Sequence, residues 1–296
     1  MTRTLDAELT TRTETTATAT RRGRFSPGRV MLYLLLFLIA LFFVVPLLWM
    51  LSTSLKPESE VFRDRGFIPQ NPTLENYERI LGAGGSTPVL RWIFNSFAVS
   101  TIGTILTVIL TSLSAYAFAR IDFKGKGILF SMLITTLLLP GVMFLVPQYL
   151  LMSQLGLLNT WPAFMLPGLA GVFGVFFMRQ FFMGIPVELE EAAYVDGAGR
   201  FKTFFSVILP LAAPALATLA VITFLAYWND YLWPLITCQG GGCTLSPGLS
   251  NLQGTYSTRF SLLMAGAVLA ATPVLALYVV AQKYIVQSVS SSGVKG

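Results

Sequence analysis

The sequence predicts an all-α, polytopic membrane protein with six transmembrane helices and both termini in the cytoplasm. Three observations predict it. The chain is 54% hydrophobic and only 11% charged, whereas a soluble domain carries about a quarter charged residues. The charged residues are separated by uncharged stretches of membrane-spanning length. Finally, Lys and Arg concentrate in alternate loops, which is the pattern that sets the orientation of membrane helices.

The uncharged stretches give the number of helices. A membrane-spanning helix needs about 20 mainly apolar residues, and four of the five long stretches fit one span each. The remaining stretch, residues 127–178, has 52 residues. As one helix it would reach roughly 78 Å, whereas the hydrocarbon core is about 30 Å thick. Turn-forming residues near its middle, Gly156, Asn159 and Pro162, divide it in two. The predicted spans are 30–51, 92–118, 128–150, 161–182, 211–235 and 261–282.

The basic residues set the orientation. The N-terminal tail, the loops after the second and fourth spans and the C-terminus hold 14 of the 20 Lys and Arg, so this side is predicted to be cytoplasmic. The net charge of +6 is therefore a topology signal, and we expect no nucleic-acid partner. The predicted division is a disordered cytoplasmic tail at 1–29, a first helix and external loop at 30–91, a five-helix core at 92–284 with a cytoplasmic loop at 185–210, and a cytoplasmic tail at 285–296.

The composition excludes several kinds of chemistry. The chain has no histidine, so it holds no Ser-His-Asp or Cys-His nucleophile and no HExxH zinc motif. Two cysteines do not complete a structural zinc site. No G-x-x-x-x-G-K-[ST] phosphate loop is present, and Gly125–Gly127 lacks its spacing. We therefore expect no catalytic residue, no bound metal and no cofactor.

The most informative polar segment is residues 185–210. Pro186 suits the first turn of a helix, three glutamates follow where the helix dipole favours carboxylates, and Gly197 is a natural stop. Residues 200–209 can form a second short helix that ends at Pro210. Two interpretations remain open from the residues alone: a compact knob that seats in a partner's groove, or an interfacial loop whose acids cap a helix.

The same segment resembles a known signature. Glu191-Ala192-Ala193, three residues, Gly197, nine residues and Val207-Ile208-Leu209-Pro210 are similar to the EAA motif of binding-protein-dependent ABC importer permeases, with Val207 where that pattern usually has Ile. Four further segments resemble the maltose-type carbohydrate permeases: 155–160, 178–186, 227–235 and 293–296. The resemblance runs from about Tyr33 to the last residue.

The resemblance implies a transport subunit rather than an enzyme. It would form half of the path for a sugar, an oligosaccharide or disaccharide, in the bacterial cytoplasmic membrane. The implied partners are a second permease subunit, an ATP-binding subunit dimer, an external solute-binding protein and the lipid bilayer. Glu191 is the residue expected to pair with a basic group of the ATPase. The residues implied in coupling to that ATPase are Glu188, Glu191, Ala192, Ala193, Asp196, Gly197, Leu209 and Pro210.

Candidates for the substrate path come from polar residues within or beside the spans. Asp230 is the one acidic residue inside a predicted span, and it lies among aromatic residues. Intramembrane acids are costly and often functional, and aromatic rings can stack on sugars. The alternative is an aromatic belt at the outer membrane surface, with Asp230 reaching water. The path candidates are Asn95, Gln148, Tyr227, Asn229 and Asp230.

Two other features have structural interpretations. Gly168, Gly171 and Gly174 recur every three residues in the fourth span, a spacing that allows close helix packing. Cys238 and Cys243 fall in a predicted external loop, where either a local disulfide or two free thiols is compatible with the sequence.

Two other functions remain as alternatives. One is an ABC permease for a different solute, such as glycerol phosphate or a peptide. A phosphate would favour Arg or Lys in the path, and none lies in the middle of a predicted span. The other is a self-sufficient secondary transporter, which usually places acids or histidines deep in the helix bundle. This chain has no histidine and only a peripheral acid, Asp230, near the outer end of the fifth predicted span, which argues against that function.

Overall fold

The computed structural model describes residues 27–63, 66–82, 88–239, 243–251 and 259–292, and for residues 251, 280–281 and 283–292 the backbone alone. Most of the tail predicted at 1–29 and the last four residues lie outside these ranges.

The fifteen α-helices within the described ranges are α1 Pro27–Ser54, α2 Glu58–Arg63, α3 Glu75–Leu81, α4 Val89–Arg120, α5 Lys126–Thr135, α6 Leu145–Gln154, α7 Trp161–Met165, α8 Val172–Met183, α9 Glu188–Val195, α10 Arg200–Thr203, α11 Leu209–Leu211, α12 Ala213–Asn229, α13 Leu232–Thr237, α14 Leu245–Asn251 and α15 Phe260–Ser292. The described residues include no β-strand, which confirms the all-α class.

Three helices are long and apolar enough to cross a membrane without a break: α1, α4 and the Phe260–Val279 part of α15. The protein is therefore a multi-pass membrane protein. Residues up to Leu47 of α1 form one compact unit, and the chain from Leu48 onward forms a second. The last helix extends to Ser292, ten residues past the end of the predicted span and into the predicted C-terminal tail.

The third predicted span, 128–150, is sharply bent. Its first half, Lys126–Leu138, and its second half, Gly141–Gln154, meet at 98°. The break falls at Leu139 and Pro140, and Leu139 has an extended backbone. Proline causes this break because its ring disfavours the helical conformation of the preceding residue and it cannot donate a backbone hydrogen bond.

The fourth and fifth predicted spans are also bent pairs. The fourth pair, Trp161–Ala170 and Val172–Met183, bends by 46°, and the fifth, Arg200–Leu211 and Ala213–Asn229, bends by 79°. The fifth span was predicted at 211–235, and that boundary is wrong. The helix ends at Asn229 because Asp230 takes an extended backbone, and the residues after it form the separate helix α13.

The segment between α1 and α4 folds against the start of α15. The Glu58 carboxylate accepts hydrogen bonds from the backbone N–H groups of Phe260 and Ser261, at 2.9 and 3.0 Å. These groups belong to the first turn of α15, where backbone donors have no partner within the helix. Asn76 of α3 also accepts a hydrogen bond from the Ser261 hydroxyl at 3.1 Å. The Glu58 carboxylate therefore caps the N-terminus of α15.

Helix α4 lies at the centre of the second unit and packs against both α8 and α12. The middle of its buried face includes a row of small residues: Ser96, Ser100, Gly103, Thr104, Thr107 and Thr111. A Cβ atom on Gly171 would lie 2.9 Å from Thr107 Cγ2, and one on Gly174 would lie 3.0 Å from Thr111 Cγ2. These glycines thus permit the close approach of α4 and α8 that their spacing predicts.

Large apolar side chains form clusters at the two ends of α4. One cluster surrounds Tyr116, Phe182 and Phe204, and another surrounds Trp92 and Trp228. The first cluster supports α9, and the region between the clusters contains two cavities. The region around α9 and the two cavities contain most of the candidate functional residues predicted from the sequence.

Candidate functional site

Helix α9 lies where the sequence predicts it and ends just before Gly197, the predicted C-terminal glycine. Its three glutamates occupy the first turn. At the other end the Gly197 N–H donates to the Tyr194 carbonyl at 3.0 Å and the Ala198 N–H donates to the Ala193 carbonyl at 2.9 Å. This is the pair of bonds of a Schellman motif. Gly197 adopts φ of +78°, a left-handed conformation that glycine accepts at little cost.

The adjacent glutamates of α9 face opposite directions. Glu190 is buried, with its Oε1 atom 2.7 Å from Arg120 Nε and its Oε2 atom accepting a hydrogen bond from the Tyr116 hydroxyl at 3.1 Å. Glu188 and Glu191 are exposed. Glu190 was absent from the predicted coupling residues. Only the spacing of Tyr116 and Arg120, one helical turn apart, could have pointed to it, and only if α9 were known to lie beside them.

The outer surface of this region combines apolar and acidic side chains. We call residues 186–211 the knob. Val195 and Phe201 are 88% and 77% exposed, and they lie close in sequence to the exposed Glu191 and Asp196. Exposed apolar side chains rimmed by charge are typical of a contact surface for another molecule. Of the predicted coupling residues, Glu188, Ala192, Gly197 and Pro210 are also exposed, whereas Ala193 and Leu209 are half-buried.

Two adjoining cavities bring together three of the five path candidates. The larger, about 480 Å³, is lined in part by Gln148, Phe164, Tyr227, Asp230 and Trp233. The smaller, about 290 Å³, shares Tyr227 and Asp230 with it. Of the residues lining the two cavities, Asp230 alone carries a charge. The arrangement offers aromatic faces and hydrogen-bonding groups to a solute of a few rings.

The cavity wall is fixed by hydrogen bonds and by close packing. The Tyr227 hydroxyl donates to the Met165 carbonyl at 3.1 Å and lies 3.2 Å from Thr107 Oγ1. The indole N–H of Trp233 donates to the Ala163 carbonyl at 2.8 Å. The Trp233 backbone N–H lies 3.4 Å from an oxygen of Asp230, at the start of α13. The break in the helix at Asp230 therefore turns this side chain and Trp233 toward the cavity.

The other two path candidates lie elsewhere. The Asn95 side-chain amide donates to the Cys243 carbonyl at 2.6 Å, and its oxygen accepts from the Trp161 indole at 3.2 Å. Both of its polar atoms are thus used to hold neighbouring segments. Asn229 is exposed and lines neither cavity.

Cys238 and Cys243 are joined by a disulfide with 6.0 Å between their Cα atoms. Cys238 is buried against Phe164 and Met165, so the bridge lies directly behind the cavity wall. The neighbouring backbone N–H of Gln239 donates to the Asn159 side chain at 2.6 Å. Residues 240–242, the three glycines inside the bridge, lie outside the described ranges.

Comparison with known proteins gives consistent matches over most of the chain. The arabinooligosaccharides transport system permease protein AraQ of Halalkalibacterium halodurans is 34% identical over 87% of this chain and 93% of its own length. The trehalose transport system permease protein SugB of Mycobacterium tuberculosis is 33% identical over 86% of this chain and 93% of its own. A chain from the crystal structure of a bacterial ABC transporter involved in alginate import has a similar fold, with a TM-score of 0.73, 24% identity and coverage of 88% and 99%.

The family match includes the knob and the cavity residues of the second half of the chain. Residues 107–291 match the family described as the binding-protein-dependent transport system inner membrane component. That range begins within α4 and ends in α15, so it contains all three bent pairs, each of which contributes residues to the cavity lining. The chain therefore belongs to the binding-protein-dependent transport system inner membrane component family.

Proposed function

We propose that this chain is the permease subunit of an ATP-driven importer and forms half of the membrane path for a sugar, an oligosaccharide or disaccharide. The observation that carries the proposal is the larger cavity. It combines the aromatic rings of Phe164, Tyr227 and Trp233 with the amide of Gln148 and the carboxylate of Asp230. Rings stack on sugar faces, while amides and carboxylates bond to hydroxyls. The named cargoes of the two relatives, arabinooligosaccharides and trehalose, are of this class.

The proposed topology is six spans with both termini in the cytoplasm of a bacterium. Three unbroken helices and three bent pairs make up to six crossings. Six crossings place the ends on one side, the side that holds 14 of the 20 basic residues. On this topology the knob faces the cytoplasm and the disulfide faces the exterior, where disulfides persist. Cavity walls on which Asp230 is the one charged side chain then suit alternating access.

The knob is the proposed contact with a separate ATPase dimer. Its exposed acids and its exposed apolar residues, Val195 and Phe201, suit a groove with basic and apolar walls. We expect Glu191 to pair with a basic group there. A second permease subunit is proposed to complete the path, and an external binding protein to deliver the sugar. The family name and the alginate transporter solved with a periplasmic protein support the role of a binding protein.

Charge reversal at the knob tests the coupling. Glu191→Lys places a like charge against the proposed basic group, so we expect loss of ATPase binding and of uptake while the chain still inserts. Gly197→Asp adds a side chain at a left-handed position and an extra negative charge, and we expect a smaller loss. Normal transport and normal ATPase stimulation in a folded Glu191→Lys protein would contradict the coupling role.

Reconstitution tests the function as a whole. The chain is co-purified in detergent with its partner subunits, placed in liposomes with ATP inside, and given labelled arabinotriose, trehalose or glycerol 3-phosphate outside with the binding protein. We expect sugar uptake that requires ATP, the ATPase and the binding protein. Uptake by the chain alone without ATP would instead identify a secondary transporter, and uptake of glycerol 3-phosphate alone would identify a different cargo.

A further inference from the structure

The buried pair of Arg120 and Glu190 connects the knob to the helix bundle. Arg120 is the last residue of α4, and Glu190 lies in the first turn of α9. Their side chains are 12% and 4% exposed, with 2.7 Å between Arg120 Nε and Glu190 Oε1. A buried pair of this kind often stabilises a protein less than apolar packing would. Its presence here therefore calls for an explanation other than stability.

Arg120 also binds a third element. Its guanidinium donates to the backbone carbonyl of Phe182 at 2.8 Å and to the carbonyl of Ile185. Phe182 is near the end of α8 and Ile185 is in the short link to α9. The five donors of a guanidinium lie in one rigid plane, so a single arginine can fix several partners in relative position. Arg120 thus holds the end of α4, the end of α8 and the start of α9 together.

Tyr116 completes the cluster from one turn earlier on α4. Its hydroxyl donates to Glu190 Oε2 at 3.1 Å, and its ring packs against Phe182 and Phe204 at centroid distances of 6.3 and 4.9 Å. Both carboxylate oxygens of Glu190 are therefore held by α4. By contrast Glu191, the next residue, is exposed and makes no such contact with the bundle.

We propose that Arg120, Tyr116 and Glu190 form an internal clamp that transmits movement of α9 to α4. The clamp residues are positioning residues and contact neither solute nor ATPase. The proposal rests on the proposed function, because α9 must be moved by a partner for the clamp to matter. Helix α4 runs from the clamp to Thr107, which lines the smaller cavity. A displacement of α9 by the ATPase therefore reaches the cavity through one continuous rigid helix.

The test measures whether movement at α9 reaches the cavity, and it does not require a known cargo. Gln148, which lines the larger cavity, is replaced by cysteine in a background with Cys238→Ser and Cys243→Ser. The chain is purified with its ATPase in nanodiscs, and maleimide labelling of Gln148→Cys is compared with and without ATP plus vanadate. We expect ATP plus vanadate to change the labelling rate about tenfold or more when the clamp is intact, within the usual range of coupling between sites.

Glu190→Gln keeps the side-chain size but removes the charge that holds Arg120. We expect the ATP-dependent change in labelling to fall below about twofold, while basal ATP hydrolysis and the amount of assembled complex stay normal. A merely structural role would reduce assembly and leave the labelling ratio of the assembled complex unchanged. The matched control is Asp122→Asn, which removes an exposed partner of Lys126 only two residues from Arg120 and should leave the ratio unchanged.

If the Glu190→Gln complex does not assemble, Tyr116→Phe tests the clamp instead. It keeps the ring packing and the ion pair and removes only the hydroxyl bond, so we expect a reduction of the labelling ratio of about threefold. A normal ratio in assembled Glu190→Gln, or in Tyr116→Phe where Glu190→Gln does not assemble, would overturn the clamp. An unmodified complex whose labelling does not respond to ATP would instead count against the proposed function.

Discussion

Tyr227 is fixed in the cavity wall by two glycines as much as by its hydrogen bonds. A Cβ atom on Gly103 would lie 2.9 Å from the Tyr227 ring, and one on Gly168 would lie 2.5 Å from its hydroxyl oxygen. Both distances are too short for a real contact. The ring therefore fits only because its neighbours on either side have no side chain, and its hydroxyl can then reach Met165 and Thr107.

Gly168→Ala is expected to destabilise the protein by about 1–3 kcal/mol, the usual cost of overpacking a closed site, because the tyrosine ring must move to admit the methyl group. Thermal unfolding of the detergent-purified chain measures this. Gly127→Ala is the matched control: it lies in helix α5 with no atom within 4 Å of the added Cβ, and it should be neutral or stabilising. Equal effects of the two substitutions would contradict the packing explanation.

At the scale of the element, the backbone conformation of Gly197 determines how α9 ends. Gly197 has open space around its missing Cβ, so only its positive φ makes a side chain costly there. The turn that follows it leads into α10 and the exposed Phe201. The direction of the second half of the knob thus depends on the backbone of one residue.

Substitutions at Gly197 should rank by tolerance of the left-handed region. Gly197→Asn is expected to retain more ATPase on co-purification than Gly197→Ala, since asparagine enters this region more readily; alanine should cost about 1–2 kcal/mol of stability. Gly199→Ala is the control, because Gly199 also has open space around it but an ordinary negative φ of −79°. A loss at Gly199 as large as that at Gly197 would show that the knob tolerates no substitution at all, whatever its backbone.

The disulfide element has its own test. Cys238 and Cys243 are the only cysteines in the chain. We expect a membrane-impermeant maleimide to label neither residue on intact cells, because the two thiols are joined. After mild reduction we expect it to label the half-buried Cys243, in a loop proposed to face the exterior, and to label the buried Cys238 much more slowly. Intact-mass measurement of the labelled chain counts the modified thiols, and Cys238→Ser provides the control with one free thiol. Full labelling without reductant would show that the thiols are free.

At the scale of the whole molecule, the bent pairs decide how often the chain crosses the membrane. A pair bent by 98°, such as the one broken at Pro140, is compatible with a broken span or with a re-entrant loop. The two possibilities place the residues that follow on opposite sides. Basic residues favour the broken span, since Arg120, Lys124 and Lys126 precede the first pair and the next basic residue, Arg179, follows the uncharged stretch.

Three single cysteines distinguish these possibilities in a background without the native pair. Asp122→Cys, Leu155→Cys and Phe201→Cys replace exposed residues in three successive loops. Six crossings predict labelling from the cytoplasmic side, the outer side and the cytoplasmic side, in that order, in oriented vesicles. If one pair is re-entrant, the residues on either side of it will label from the same side.

Much of the fold follows from the spacing of particular residues. The charge-free stretches locate every long helix and every bent pair, because a charge inside the bilayer is costly wherever the helices pack. Gly168, Gly171 and Gly174 indicate close packing, and Gly197 indicates the end of α9. The exact end of the fifth span was missed. Apolar residues continue past Asp230, and hydropathy does not register that its backbone becomes extended.

The sequence by itself determined that the chain is an all-α membrane protein of the permease family, because hydropathy and a local motif depend only on residues near each other in the chain. The tertiary structure alone decided which of those residues meet. Asn95 is 148 residues from Cys243 yet donates a hydrogen bond to its carbonyl, and Glu190 is 74 residues from Tyr116 yet accepts a hydrogen bond from its hydroxyl. Contacts over such separations depend on how the helices pack together. No periodicity along the chain encodes that, so Glu190 and Glu191, identical in type and adjacent, acquire opposite surroundings only in the folded protein.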